Sequence, residues 1–513
     1  MESGYFKIGR ADDLEKKGER LVYRAFEILP GALIWGTLFL VVLLSWLKPV
    51  WIAVFIISFV LYWLFRAIYF FFHLRSGFKK MREHERIDWL GKLSELENWQ
   101  NIYHLVVFPV YKEPLQIVRE SFLALMKTDY PKDKIIVILG LEERAREYAQ
   151  NIEKAIEKEF SRKFFKFLVT WHPANLPGEI PGHSSNETWA IKQAKEKIID
   201  PLKIPYQNII VSSFDSDCQV QPKYFSCLTW HFLTSKKPLK TSYQPIPLYI
   251  NNIWEAPFFS QIFSFTSTFW HTINQERADK LISFSSHAIP FQALVDVGFK
   301  QTNIISDDSR IFWQCFFKYD GDYRVQPLYY PVSMDANVSK NFFRTALNIY
   351  RQQKRWAYGV CEIPYFIFNS LKNKKISFAK KISFGFEIIE GHFSWATAPL
   401  LIFLLGWLPL ILGNQEFLQT TLSYNLPRVT SFILTISMFS LVFSAYLSFF
   451  LLPHNPKKHS KWNYFVFGLG WLLVPLSMIF FSALPSLEAQ TRLMLGKYLN
   501  FWATEKIRKT SLL

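Results

Sequence analysis

The stretch Asn208-Ile209-Ile210-Val211-Ser212-Ser213-Phe214-Asp215-Ser216-Asp217 is an uncharged, β-branched run that stops on two acids one residue apart. It predicts a buried strand with both carboxylates at its carboxyl end. Two runs of the same kind precede it, Leu105-Val106-Val107-Phe108-Pro109-Val110 and Ile135-Ile136-Val137-Ile138-Leu139, with a helical pattern around 115–127 between them. Strands alternating with helices predict a largely parallel α/β sheet within residues 101–371. Ligands bind such sheets at the carboxyl ends of the strands. That edge carries Glu113 after the first strand, Glu142 and Glu143 after the second, and Asp215 with Asp217 after the third.

Half of the 513 residues are hydrophobic and 18% are aromatic, and they are clustered rather than spread, unlike a soluble enzyme. A formal charge of +17 suits an anionic membrane surface or an anionic substrate. No continuous Lys/Arg run or nucleic-acid motif accompanies it, so nucleic acid is not an expected partner. Cys218, Cys227, Cys315 and Cys361 fit no zinc spacing and read as reduced thiols of a cytoplasmic domain.

A crossing helix needs about 20 apolar residues. Residues 31–73 supply two such runs, 31–47 and 51–73, split by Lys48-Pro49; residues 393–486 supply three, 393–413, 428–452 and 464–486. Residues 1–30 form a charged N-terminal segment, and the first apolar run starts too late and runs too long for a cleaved leader. Lys and Arg crowd this segment and the 453–463 loop (Lys457, Lys458, Lys461) but are missing from 414–427. By that asymmetry the N-terminus and central domain are cytoplasmic, in a multi-pass protein of the cell (inner) membrane. Five crossings would strand the basic tail, 487–513, outside. Pro475 and Pro485 make the last segment the one expected to break or re-enter.

Residues 74–100 and 372–392 mix Lys and Arg with aromatic residues and predict amphipathic helices on the lipid surface. The aromatic stripe from Trp254 to Trp270 either fills the core or lies against the bilayer or a substrate's path.

Three polar motifs carry chemistry. Asp215 and Asp217 present hard oxygen ligands to Mg²⁺ or Mn²⁺, a metal that neutralises a departing diphosphate. Ser306-Asp307-Asp308 precedes an aromatic helix, Ile311 to Phe317, and one of its acids is expected to cap that helix. Gln352, Arg355 and Trp356 fall at i, i+3 and i+4, on one helical face. There Trp356 can stack on a sugar and Arg355 can meet a diphosphate.

This order of motifs between two sets of apolar runs resembles the membrane-embedded glycosyltransferases of family 2, which include the cellulose, chitin and hyaluronan synthases. The likeness covers residues 100–510. It implies a GT-A nucleotide-diphospho-sugar transferase domain inserted between N- and C-terminal transmembrane helices. It also implies an inverting hexosyl transfer from a nucleotide-diphospho-sugar of the UDP-linked kind to a growing β-linked polysaccharide or glycan. Asp308 matches the second acid of the family's Thr-Glu-Asp, the general base, with Asp307 beside it in a shorter Ser-Asp-Asp form, and Gln352, Arg355 and Trp356 match the Gln-x-x-Arg-Trp motif, which implies that they bind and position the acceptor end. Glu142 or Glu143 resembles the acid set against uracil or ribose, and a solvated loop charge is the alternative. Residues 181–190 resemble the Lys-Ala-x-Asn turn, with Asn186 in the Asn position, unless it is an N-cap, and His183 in place of the basic residue. Phe501-Trp502-Ala503-Thr504-Glu505-Lys506 is similar to the Phe-x-Val-Thr-x-Lys gating loop of bacterial cellulose synthase, which assigns Phe501, Thr504 and Lys506 to closing over the nucleotide. Two rivals stay open: transfer of a single sugar to a lipid-linked acceptor, and an inactive scaffold or transporter with a transferase-like domain. The oligomeric state is open as well.

Overall fold

The computed structural model describes residues 3–453 and 461–508, so Lys457 and Lys458 lie outside the described residues. Eight strands form one mixed sheet in the order β3-β2-β1-β4-β7-β6-β8-β5. They are β1 Tyr103–Val110, β2 Ile135–Glu142, β3 Lys166–His172, β4 Ile209–Ser213, β5 Gln219–Val220, β6 Thr241–Tyr249, β7 Ala288–Pro290 and β8 Arg324–Met334. All run one way except β7 and β5, which are antiparallel to their neighbours. The mainly parallel sheet between apolar helices is the fold class expected from the pattern.

The continuous apolar strands follow from burial on both faces. With a period of two, Leu105, Val107, Ile136, Ile138, Ile209 and Val211 enter one core. Val106, Phe108, Val137, Leu139 and Ile210 enter the other. The chain lays β2 and β3 on one side of β1, then places β4 on its other side. That reversal opens a crevice at the strand ends. β4 pairs with β1 only as far as Val107, so the chain leaves the sheet at Phe214-Asp215-Ser216-Asp217 while β1 runs on to Val110.

Four helices are long and apolar enough to cross a membrane: Lys17–Leu47, Pro49–Arg86, Thr421–Leu451 and Phe467–Met494. A fifth span is possible if Phe378–Phe403 and Leu405–Leu412, bent by 52°, act together. A sharp bend falls at Leu404. The last segment, where its prolines predict a break or re-entry, is interrupted by a 3-10 turn at Trp471–Leu473 and a π turn at Ile479–Ala483.

One difference concerns 74–100. Residues 74–86 do not form a separate surface helix but prolong the second span, and Gly77 brings that helix against Thr272, whose carbonyl would sit 2.7 Å from a Cβ there. Lys80 pairs with Glu276 at 2.9 Å, and Arg82 donates to the Phe450 carbonyl at 2.8 Å. The basic end is a strut against the sheet domain and the helix Thr421–Leu451. By contrast, Phe378, Ile382 and Phe386 are exposed at a spacing of four, as a lipid-facing stripe requires.

The aromatic stripe forms the helix Phe258–Gln275. Phe265 and Phe269 pack with Leu447, Phe467 and Trp471, joining the sheet domain to the apolar segments. The charged N-terminal segment is docked too: Phe6, Ile8 and Ala11 are buried, and Arg310 Nη1 donates to the Ile8 carbonyl at 2.8 Å.

Candidate active site

The crevice collects acids from two strands. Asp217, after β4, is buried; its Oδ2 accepts from the Asp335 amide at 3.0 Å and its Oδ1 from Lys506 Nζ at 2.6 Å. Asp335 follows β8 directly, and Arg508 Nε lies 3.0 and 3.1 Å from its carboxylate oxygens. Arg508 also pairs with Glu120. Burial and the Asp217 charge drive the Asp335 carboxyl well above its ordinary range. Burial likewise works to raise Asp215, but Lys506 and His183 outweigh it and hold that acid low. Two cationic side chains thus sit on a carboxylate cluster that has the charge and hard-oxygen chemistry of a divalent-cation site.

A second acidic group adjoins it. The helix Asp307–Lys318 has Ser306 at its N-cap position, so neither aspartate caps it; both lie in its first turn, where the helix dipole favours negative charge. Asp307 is buried and meets His183 Nδ1 at 3.4 Å and Lys300 Nζ at 3.9 Å. Asp308 keeps 30% of its side-chain surface, with Lys300 Nζ 3.5 Å and His287 Nδ1 3.6 Å from Oδ1. Burial would raise Asp307, yet the His183 hydrogen bond and Lys300 hold it far below the carboxylate range. Burial, then the Asp307 charge, pushes Asp308 up to about 7. The neighbours split the pair into one fixed anion and one acid poised near neutrality.

His183 links the two groups, its Nε2 being 3.6 Å from Asp215 Oδ1. Burial would lower its pKa, but Asp307, Asp215 and Glu187 carry it to about 9, so the imidazole is cationic. It supplies a positive charge in the position where the resemblance expects a basic residue. His183, Glu187 and Asp307 are also spaced to hold a metal, but Lys300 Nζ lies 2.8 Å from Glu187 and takes that role.

Gln352, Arg355 and Trp356 sit on the helix Phe342–Ala357. Gln352 Oε1 accepts from Asn337 at 3.3 Å, Trp356 lies 6.3 Å from the Tyr249 ring at the end of β6, and Arg355 rests 5.0 Å over Phe501. The tail brings Phe501 against Gly182, and buries the Thr504 hydroxyl. Phe501 and Lys506 therefore meet the helix Phe342–Ala357 and Asp217 respectively.

The nucleoside candidates separate. Glu142 is buried at the end of β2, bound by Arg144 at 2.5 and 3.0 Å, and Arg144 stacks 4.2 Å from the Tyr111 ring. Glu143 accepts from the Ala174 amide at 3.3 Å, in the loop after β3. Glu113 accepts from its own neighbour's Tyr111 amide at 2.7 Å. Asn186 is not an N-cap, since Gly182 holds that position; its amide donates to the Gly140 carbonyl at 3.0 Å and ties the helix His183–Ala194 to β2. Sequence reasoning missed Asp335, Lys300 and His287. Asp335 had a signal, an acid straight after the buried run Val332-Ser333-Met334; the other two had none.

No family model and no curated protein matches the sequence. Among solved structures, the chain is similar over 82% of its length to 99% of a mannosyltransferase from Pyrobaculum calidifontis in complex with GDP-Man and Mn²⁺, at 12% identity and a TM-score of 0.37. It is similar over 69% of its length to 93% of S. aureus TarS 1–349 in complex with UDP-GlcNAc, at 14% identity and a TM-score of 0.36. At these values the likeness does not extend to a function.

Proposed function

We propose that the chain is a membrane-embedded glycosyltransferase that moves a sugar from a UDP-linked donor to an acceptor hydroxyl with inversion. One observation carries the reading: a carboxylate cluster occupied by cationic side chains adjoins Asp308, an acid raised to about 7. Asp217 and Asp335, with Asp215 at the rim, would hold Mg²⁺ or Mn²⁺. Once bound, the cation neutralises the donor's diphosphate. Arg355 offers the diphosphate a further charge, Trp356 and Tyr249 offer faces to the sugar, and Tyr111 with Glu142 walls the nucleoside. Deprotonated Asp308 takes the proton of the acceptor hydroxyl, and the hydroxyl oxygen bonds to the anomeric carbon while the bond to the diphosphate breaks. Asp307, held ionised by His183 and Lys300, keeps Asp308 basic by repulsion.

The proposed topology has four crossings. Gly413 lies against Pro49, at the turn between the first two spans, so the bent segment reaches the far side. Thr421–Leu451 then returns, because Leu447 and Leu451 pack with Phe265 and Met81. The last segment starts beside Phe265 and Phe269 and ends where Arg24 donates to the Leu493 carbonyl, on the side it left. An even number of crossings keeps the basic tail with the catalytic domain, on the cytoplasmic face.

The test is turnover of a panel of UDP- and GDP-sugars by the purified full chain with Mn²⁺ or Mg²⁺, beside Asp308→Asn. Metal-dependent turnover of one donor, lost in the variant, is expected. Nucleotide binding and turnover both missing with every donor would leave an inactive scaffold.

A further inference from the structure

We infer that the acceptor is an anionic lipid whose hydrocarbon chain lies in an apolar groove beside the acceptor helix, an inference that rests on the transferase reading above. A cavity of about 310 Å³ opens between the helices Phe258–Gln275 and Phe342–Ala357 and the segment Phe467–Met494, lined by Phe259, Tyr350, Leu476, Ser477, Phe480 and Leu484 among others. That falls in the ~300–1,000 Å³ of small-ligand sites. The Tyr350 hydroxyl already donates to Glu488 at 2.9 Å, so the walls offer little to hydrogen-bond. A glycan threaded there would leave its hydroxyls unpaired, whereas a hydrocarbon chain needs no partners.

The groove is walled partly by exposed apolar side chains, and Tyr350 in its wall belongs to the helix that carries Gln352, Arg355 and Trp356. Leu476 and Phe480 of the groove wall are exposed, as are Phe343 and Leu347 earlier on the helix of Tyr350. Phe343, Leu347, Tyr350 and Lys354 fall at i, i+4, i+7 and i+11, so one helical row leads from the apolar surface past the groove wall to a cation. Gln352, Arg355 and Trp356 lie on the next face of the same turns. At the polar end Lys354 and Arg492 share a single carboxylate, Glu488, at 3.0 and 2.7 Å. Two cations to one anion leave a positive rim, which suits a phosphate between the chain and the accepting hydroxyl. The backbone makes room as well: the π turn Ile479–Ala483 interrupts the segment at the groove, beside the small Ser477.

The full chain would be reconstituted in phosphatidylcholine nanodiscs carrying a diazirine-tailed isoprenyl diphosphate-linked sugar in one preparation and a diazirine-tailed phosphatidylglycerol in another, both of which place a hydroxyl beyond the phosphate. Peptide mapping after irradiation reads the groove, and labelled donor reads the product. Ser477→Trp and Leu484→Trp fill the groove from two sides; Phe439→Trp, on the outer face of Thr421–Leu451, is the control. One probe is expected to label peptides around Phe259 and Phe480. Chloroform-soluble product should form in wild type and control, and should fall about ten-fold or more in both filled variants, as losing a few buried methylenes implies. Hydrolysis of the donor to water should persist in them. Label recovered in polymer, unchanged lipid product in the filled variants, or no labelling of the groove would each overturn the inference. Labelling without any donor turnover in wild type would fail the transferase reading and with it the acceptor role, leaving a structural lipid.

Discussion

Asp307 and Asp308 are adjacent in sequence and opposite in chemistry, and the difference comes from what faces each of them. Removal of the proposed base in Asp308→Asn should lower turnover by about 10²–10⁴-fold, read as kcat/KM with the identified donor. In wild type, kcat/KM should rise with pH and level off above an inflection near 7, because only the carboxylate accepts the proton. Lys300→Gln should move that inflection upward, since the lysine charge favours ionised Asp308. The same group makes a stability prediction. Its folded pKa lies above the ordinary ~3.9, so folding takes up a proton between the two values. Its contribution is present at low pH and is lost as pH rises through about 7. Thermal melts of Asp308→Asn should therefore exceed wild type at pH 8 and approach it near pH 4; equal melts at both would contradict the raised pKa. Asp308 could be named from its motif, but its state could not: Lys300, His183 and His287 reach it from distant parts of the chain.

At the scale of elements, the tail 501–508 is the segment whose placement matters most. Its Lys506 ammonium occupies an oxygen of Asp217 that a metal would take. Lys506→Ala should therefore tighten Mn²⁺ binding, measured by the loss of free-ion signal in electron paramagnetic resonance; unchanged affinity would mean that the tail and the metal do not compete. The motif in 501–506 singled out these residues, while its target was invisible, since Asp217 is separated from Lys506 by most of the chain. Strands β1, β2 and β4 were legible because burial on both faces demands uninterrupted apolar runs. The short β5 and β7 were not, because two or three residues carry no period. The second span's continuation to Arg86 was hidden for a different reason. Its change of composition marks where lipid ends, not where the helix ends.

For the whole molecule, the proposed four crossings would place the N-terminal segment, the sheet domain and the tail on one face. The native cysteines are all buried, so a single introduced thiol reports cleanly. Gln419→Cys, in the exposed loop between the bent segment and Thr421–Leu451, should react with an impermeant maleimide in intact spheroplasts. Lys497→Cys should react only in inverted vesicles. Reaction of both from the same side would require an odd number of crossings.

By itself the sequence determined the class of the molecule: a mainly parallel sheet, acids at strand ends, and apolar runs on either side. Those properties are local, since periodicity, run length and residue spacing follow from backbone geometry and from the cost of burying polar groups. Only the tertiary structure decided which acids form one site, which of two neighbouring aspartates is poised near neutrality, and where the tail's cations rest. Electrostatic fields and close packing depend on distances through space, and the residues that set them here, Asp335, Lys300 and Lys506, reach Asp217 and Asp308 from different elements.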